Sequence, residues 1–318
     1  MTLRNVAAVI LALVSASPAA AADLLKIASP QRGSWEGAIP ELGKEQGIFK
    51  KHGLDLDILY TAGGGETLQA VISGAVDVGL SAGTLGVMGA FAKNAPIRII
   101  GASSTGSREL FWYVPASSPL KSLRDAKEGT TIAYSTTGAS THIAVLHFIA
   151  DNGLKARPVA TGDISATTTQ AMSGQVDVGW SVAPFNLDPL AKGEIRLVAR
   201  ASDIPRIRGQ TIRVQIANLN TLEQKKDAIA RYLAAYRETL DWMYASPDAV
   251  ARYVAFSKLP ESAVKRMLAE FIPKESLQID RVVGTDESMQ DAIQFKFLNA
   301  PLSAAQLKEL IRIPEGGR

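Results

Sequence analysis

Hydroxyl groups, a glycine and an expected helix start lie together at Thr136-Thr137-Gly138-Ala139-Ser140-Thr141. Thr137, Ser140 and Thr141 bring donors, and Gly138 lets a ligand approach the backbone. The helix that follows leaves its first N–H groups free under a partial positive charge. That combination suits a small anion, against the plainer use of these residues as ordinary caps. A second donor set, Ser81-Ala82-Gly83-Thr84, ends an expected strand and opens a helix, and Ser103 follows the next strand in the same way. Gly64 belongs to Gly63-Gly64-Gly65, again before a helix. The triplet is neither a Walker A loop nor a G-x-G-x-x-G fingerprint, and a flexible turn accounts for it as well as a ligand contact does. Arg213 lies on the polar face of an expected strand. Arginine grips a carboxylate or sulfonate through two parallel bonds, unless this one pairs with Asp203 or faces solvent. Trp35 and Trp180, at strand ends, either stack on an organic ligand or line the core.

Catalysis finds little support in the same inventory. His52, His142 and His147 are the three histidines, and the last two are five apart, not the four of H-E-x-x-H. Without cysteine there is no thiolate ligand for zinc. Asp77 and Asp177 read as residues that hold neighbouring turns through backbone N–H groups, not as an acid/base pair. No catalytic residue, metal or cofactor is expected. Binding alone sets its own demand: micromolar affinity needs about 8 kcal/mol, while one charged hydrogen bond contributes about 1.5–3 kcal/mol. Several donors and burial must act together.

The elements that would position these residues are duplicated. Ser73-Gly74-Ala75-Val76-Asp77-Val78-Gly79-Leu80-Ser81 returns one hundred residues later as Ser173-Gly174-Gln175-Val176-Asp177-Val178-Gly179-Trp180-Ser181. Each copy reads as a helix end, a glycine cap and a short buried strand. Two copies are too few for a solenoid and fit two α/β halves of similar build. Ligands of open α/β sheets sit beyond the carboxyl ends of the strands, so Ser81 and Ser181 are both expected to look into a crevice between the halves. Further strands are expected at 24–29, 54–60, 97–102, 110–115, 130–134, 158–161 and 211–217. Beyond Leu222 the pattern is helical, with Leu222, Ile229, Tyr232, Leu233, Tyr236, Leu240 and Met243 on one stripe. Those helices are expected to pack back on the first half, with crossovers near Val114-Pro115-Ala116 and Ile212-Arg213-Val214.

Arg4, the apolar run from Val6 to Val14, and Ala19-Ala20-Ala21-Ala22 before Asp23 read as a secretory signal cut near Ala22. The run is too short to span a bilayer, which takes about 20 residues. With no cysteine there is no lipid-anchoring motif, so an unanchored periplasmic protein is expected. The net charge of +3 is dispersed among both signs, which argues against a nucleic-acid surface.

The order of these features resembles a known family. The residues that carry the likeness are Gly47-Ile48-Phe49-Lys50-Lys51-His52-Gly53-Leu54, Gly63-Gly64-Gly65, the repeat, Lys93-Asn94-Ala95-Pro96-Ile97-Arg98, Leu123-Arg124-Asp125-Ala126 and Thr137-Gly138-Ala139-Ser140-Thr141. Together they resemble the periplasmic solute-binding proteins of ABC importers in the nitrate/sulfonate/taurine group, which includes binders of thiamine-pyrimidine precursors. The resemblance implies a two-lobe type II periplasmic-binding fold with two hinge crossovers. The expected division is a signal at 1–22, a first lobe at 23–114 plus 214–318, and a second at 115–213. It further implies a monomer that captures a small organic anion between its lobes and delivers it to a permease and its ATPase. An uncharged ring such as a thiamine pyrimidine is the alternative ligand. A related pyrimidine-synthase branch implies an enzyme, but it relies on iron and a cysteine/histidine cluster that this sequence lacks. A sensory role fits the same fold. An amine-bearing ligand would want an acid in the cleft, and the sequence offers Arg213 there instead.

Overall fold

The computed structural model describes residues 22–314. The expected signal segment, apart from Ala22, lies outside the described residues. Strand β1 (Asp23–Pro30) leads through a polar loop to helix α1 (Ile39–Glu45). Gly47, at φ 81°, then turns the chain into the single turn of α2 (Ile48–Lys51), where the sequence reads only as a tight connection. There follow β2 (Leu54–Thr61), α3 (Gly64–Ile72), β3 (Val78–Gly83), α4 (Thr84–Ala92) and β4 (Ile97–Thr105). The next run holds β5 (Leu110–Pro115), β6 (Thr131–Tyr134), α5 (Ser140–Asp151), β7 (Arg157–Ala160), α6 (Ile164–Met172) and β8 (Gly179–Val182). After α7 (Leu187–Ala191) come β9 (Ile195–Arg200), which the sequence reading misses, and β10 (Thr211–Asn218). The remainder is helical: α8 (Leu219–Gln224), α9 (Lys226–Ala245), α10 (Pro247–Ser257), α11 (Glu261–Glu270), α12 (Thr285–Gln294) and α13 (Ala304–Leu310).

The strands form two similar sheets. The first has the order β2-β1-β3-β10-β4, with β10 antiparallel to both neighbours. In the second, β8-β5-β9 is antiparallel and β6-β7 parallel. A parallel bridge from Ile132 to Val178 joins those two pieces into β7-β6-β8-β5-β9. Position for position this is the order of the first sheet, as the hundred-residue repeat predicts. The polar details repeat too. Asp77 accepts from the backbone N–H of Lys26 at 2.9 Å, and Asp177 from that of Thr131 at 2.8 Å, so each aspartate ties its strand to the neighbouring one. Thr61 and Thr67 hydroxyls meet at 2.7 Å, and those of Thr161 and Thr167 at 2.6 Å.

The chain changes sheet at 106–109 and again at 201–210, upstream of the crossovers expected near 114–116 and 212–214. The reason lies in β5 and β10: each pairs along its length inside the sheet it is entering, so the passage precedes the strand. As expected, the C-terminal helices return to the first sheet. The buried stripe of α9 carries Ile229, Tyr232, Leu233, Tyr236, Leu240 and Met243. It packs so closely on α1 that a Cβ at Gly43 would stand 2.4 Å from the Thr239 hydroxyl. Past α13, Ile311 bridges to Ile99 on β4. Among the described residues no helix is long and apolar enough to cross a membrane.

Candidate ligand-binding site

Between the two sheets lies a small cavity of about 50 Å³, walled by residues of both. Its first wall begins in the loop after β1, where Ser34, Trp35 and Glu36 are all buried. Gly37 keeps that loop tight, since a Cβ there would stand 2.7 Å from the Pro30 carbonyl. Trp35 is wedged edge-on between Tyr253 and Tyr244, with ring centroids 4.8 and 5.7 Å away. Its indole is thus mainly core and only partly cavity wall.

Beside it the ionisable groups converge. Arg213 Nη2 lies 2.9 Å from Glu36 Oε2 and also donates to Glu109 Oε1. Ser81 Oγ donates to Glu36 Oε1 at 2.5 Å. Burial alone would lower the Arg213 guanidinium, but the charges of Glu36 and Glu109 outweigh it and hold the group above its ordinary value. The three side chains come from separate parts of the chain: the first loop, the first crossover, and β10. Burial pushes the nearby Tyr236 hydroxyl well up, and the charge of Glu36 adds to that effect.

Ser81 reaches this cluster because its strand is irregular. Val214 and Ile216 of β10 face Ala82 and Gly79 of β3, so β3 carries one extra residue there. Ser81 itself sits at φ 54°, an uncommon conformation for a residue other than glycine. The repeat partner shows the contrast. β8 pairs with β5 in unbroken register, so Ser181 points away from the cavity and its hydroxyl donates to the Phe185 carbonyl at 3.2 Å. Trp180, one residue earlier, lines the cavity instead, with its Nε1 donating to the Thr161 hydroxyl at 3.3 Å.

The opposite wall is the start of α5. Ser140 and Thr141 line the cavity with Ser135. Thr141 Oγ1 accepts from the Ser135 N–H at 3.0 Å and so closes the turn that begins the helix. The halves meet beside this point. Gly65 N–H donates to Thr136 Oγ1 at 3.0 Å, and the Ile164 N–H donates to Gln31 Oε1 at 3.3 Å. Glycines make the seam. A Cβ at Gly65 would stand 2.1 Å from the Thr137 carbonyl, and one at Gly83 would stand 2.1 Å from that of Gly138. Elsewhere Asp291 on α12 lies 3.3 Å from His147 on α5. It also pairs with Arg206 at 2.8 Å and accepts from Gln210 at 2.9 Å, both in the second crossover.

The family model described as NMT1/THI5 like matches residues 41–250, well over half of the chain. The chain belongs to the NMT1/THI5-like family. By sequence, no curated protein matches it. Among solved structures it resembles the alkanesulfonate-binding protein SsuA from Xanthomonas axonopodis pv. citri bound to MOPS. The two share 18% identity over 93% of this chain and 100% of that one, with a TM-score of 0.77. The periplasmic nitrate-binding protein NrtA from Synechocystis PCC 6803 matches at 13% identity over 91% and 85% of the chains, with a TM-score of 0.67. The desulfurization enzyme DSZB matches at 14% identity over 92% and 96%, with a TM-score of 0.64. The fold is therefore the mixed α/β fold of periplasmic binding proteins.

Within this family member, the cavity gathers seven of the residues that the sequence singles out: Trp35, Gly64, Ser81, Ser140, Thr141, Trp180 and Arg213. The other seven lie outside its walls. Ser103 supports the strand by accepting from the Ser81 N–H at 3.3 Å, and Thr84 donates to the Thr211 carbonyl at 2.6 Å. Ala82 is packed in the sheet core, Gly83 forms the seam, and Thr137 and Gly138 cover the outer side of α4. Ser181 is turned away by the regular register of β8. Asp203, weighed as a partner for Arg213, instead accepts from the Arg200 N–H at 2.7 Å. Sequence reasoning misses Glu36 and Glu109. Each is a single acid in a polar loop, and their shared use of Arg213 is set by tertiary packing.

Proposed function

We propose that this protein is the periplasmic solute-binding component of an ABC importer, which captures a small organic solute between two lobes and hands it to a permease. The lobes are the two sheet-centred halves, hinged at 106–109 and 201–210, and the working unit is a monomer. The observation that carries the reading is a buried cavity walled from both halves: Glu36, Ser81 and Arg213 on one side, Ser140, Thr141 and Trp180 on the other. A ligand in that position is coupled to closure of the lobes. The likeness to sulfonate- and nitrate-binding proteins supports an oxyanion group on the ligand, and the start of α5 is suited to hold one. No catalytic step is proposed, because the ionisable side chains lining the cavity are engaged with one another. An uncharged ring such as a pyrimidine is the second reading, favoured by the two indoles at the cavity, Trp35 and Trp180. Calorimetry with folded protein against sulfonates, carboxylates, nitrate and pyrimidines tests the proposal. Micromolar binding of one class is expected, and no binding of any solute, with native mass spectrometry of the periplasmic protein also empty, would end the capture reading.

A further inference from the structure

Among the described residues Gln31 alone borders both the cavity and an open groove outside it, whose other walls include Arg32, Tyr60, Asp163, Ile164 and Phe185. It stands between the two in an unusual conformation. Its φ is 56°, a region that residues other than glycine seldom enter. Such outliers persist only where their surroundings hold them, and they gather at clamps and switches.

Here the surroundings come from both halves. On its own side the Gln31 N–H donates to the Thr61 carbonyl at 3.0 Å, and the Ser34 N–H donates to the Gln31 carbonyl at 2.9 Å. Its Nε2 donates to the Ala62 carbonyl. Backbone and amide nitrogen are thus spent on the first half. What remains is Oε1, which accepts from the Ile164 N–H of the second half at 3.3 Å. Ile164 opens α6, so its N–H is one of the four that a helix cannot satisfy itself. The Asp163 side chain caps the same helix but takes the Ala166 N–H, at 2.7 Å, and leaves that of Ile164 to Gln31. With the lobes apart, Oε1 and this N–H each turn to water. With the lobes together they find one another, at the border of cavity and groove.

We infer that Gln31 is a closing clasp, a positioning residue held rigid by the first half that latches onto the start of α6 as the lobes meet and parts the cavity from the outer groove. This rests on the capture reading above and adds to it the contact that slows escape. The clasp acts through Ile164 and does not require Gln31 to touch the bound solute.

Two deletions from opposite sides test it on the full mature chain, with MOPS as the probe, or with the tightest binder of the solute panel if MOPS does not bind. Gln31→Gly removes the acceptor and suits φ 56°. Ile164→Pro removes the donor at a helix position that accepts proline, and Ile164→Ala is its control for the lost side chain. Each deletion should raise Kd by the worth of one hydrogen bond, roughly two- to twelvefold, the proline being compared with the alanine. Stopped-flow tryptophan fluorescence should show release faster by a similar factor. The Tm of ligand-free Gln31→Gly should stay within about 4 °C of wild type, because relief at φ 56° offsets the bond to Ala62. Both deletions remove the same bond, so in the Gln31→Gly background Ile164→Pro should bind like Ile164→Ala. If Gln31 merely touches the solute, Ile164→Pro binds like Ile164→Ala in the wild-type background too, and the inference falls. Wild-type affinity in Gln31→Gly, effects that multiply in the double variant, or a larger drop in Tm also overturn it. Each of these leaves the capture reading standing, whereas silence toward MOPS and the whole panel ends both.

Discussion

Gly65→Ala separates the stability of one lobe from the closure of two. Gly65 lies in the first turn of α3, where alanine is favoured over glycine by up to about 1 kcal/mol. The first half on its own should therefore be no less stable with the substitution. Closure is another matter. The new Cβ would stand 2.1 Å from the Thr137 carbonyl and 2.9 Å from the Thr136 hydroxyl, and side-chain Cβ atoms essentially never come under 3.0 Å of such neighbours. The seam must part by roughly an ångström, and the bond from Gly65 N–H to Thr136 Oγ1 parts with it. Ser140 is four residues from Thr136, so a similar shift at the cavity stretches a hydrogen bond from the α5 side beyond useful range. Loss of one charge-assisted bond is worth about 1.5–3 kcal/mol, or roughly a ten- to hundred-and-fifty-fold rise in Kd. Calorimetry with the best solute from the panel reads the affinity, and thermal unfolding of the ligand-free protein reads the lobe. An affinity within twofold of wild type would refute the seam argument. So would a large drop in ligand-free Tm, which would mean that Gly65 serves folding and not closure. Gly83→Ala, at an ordinary φ of −65° and against Gly138, should weaken the affinity in the same way.

Three further outcomes follow from particular residues. Burial pushes the His142 imidazole down to about 4; the unfolded chain takes up this proton near pH 6.5, so stability should fall between about pH 6.5 and 4 by up to about 3 kcal/mol. His142→Gln should flatten that part of the urea-unfolding pH profile, and an NMR midpoint near 6.5 would contradict it. Asp291→Asn should lower the stability of the folded protein by about 1–3 kcal/mol in urea unfolding at neutral pH, because it removes the buried carboxylate that accepts from Gln210 and pairs with Arg206. Burial alone would raise the Asp291 carboxyl, but the bonds from His147 and Gln210 and the charge of Arg206 outweigh it; its contribution is present above about pH 4 and fades as pH falls through the lowered value, so the two proteins should converge in acid. Ser81→Gly should be more stable than Ser81→Ala by about 1 kcal/mol in the same assay, since only glycine adopts φ 54° freely; equal stabilities would show that the bulge relaxes.

The duplicated architecture is legible in the sequence because it rests on covalent spacing and burial. The strand after Gly74 and the strand after Gly174 must each be apolar to sit inside a sheet, and Asp77 and Asp177 must each find a backbone N–H on the adjacent strand. The donor-rich start of α5 is legible for a related reason, since helix starts advertise their needs within four residues. Three features escape such reading. β9 escapes because Ile195-Arg196-Leu197-Val198-Ala199-Arg200 is partly buried on both faces, so neither alternation nor a continuous apolar run marks it. Glu36 and Glu109 escape because no local pattern links a residue of the first loop to one of the first crossover. The direction of Ser181 escapes because it depends on whether a bulge is present.

That last difference shows how two like halves make one polarised site. Symmetric strand tips would place a serine on each wall, and the cavity would offer the same groups to both ends of a ligand. The extra residue in β3 breaks the symmetry. It costs roughly 1–3 kcal/mol in backbone conformation at Ser81, and in exchange the Ser81 hydroxyl reaches Glu36. The regular strand in the other half leaves Ser181 bonded to Phe185 and presents the Trp180 indole instead. One wall therefore holds acids ordered by a serine and an arginine, and the other holds an aromatic face beside a helix start.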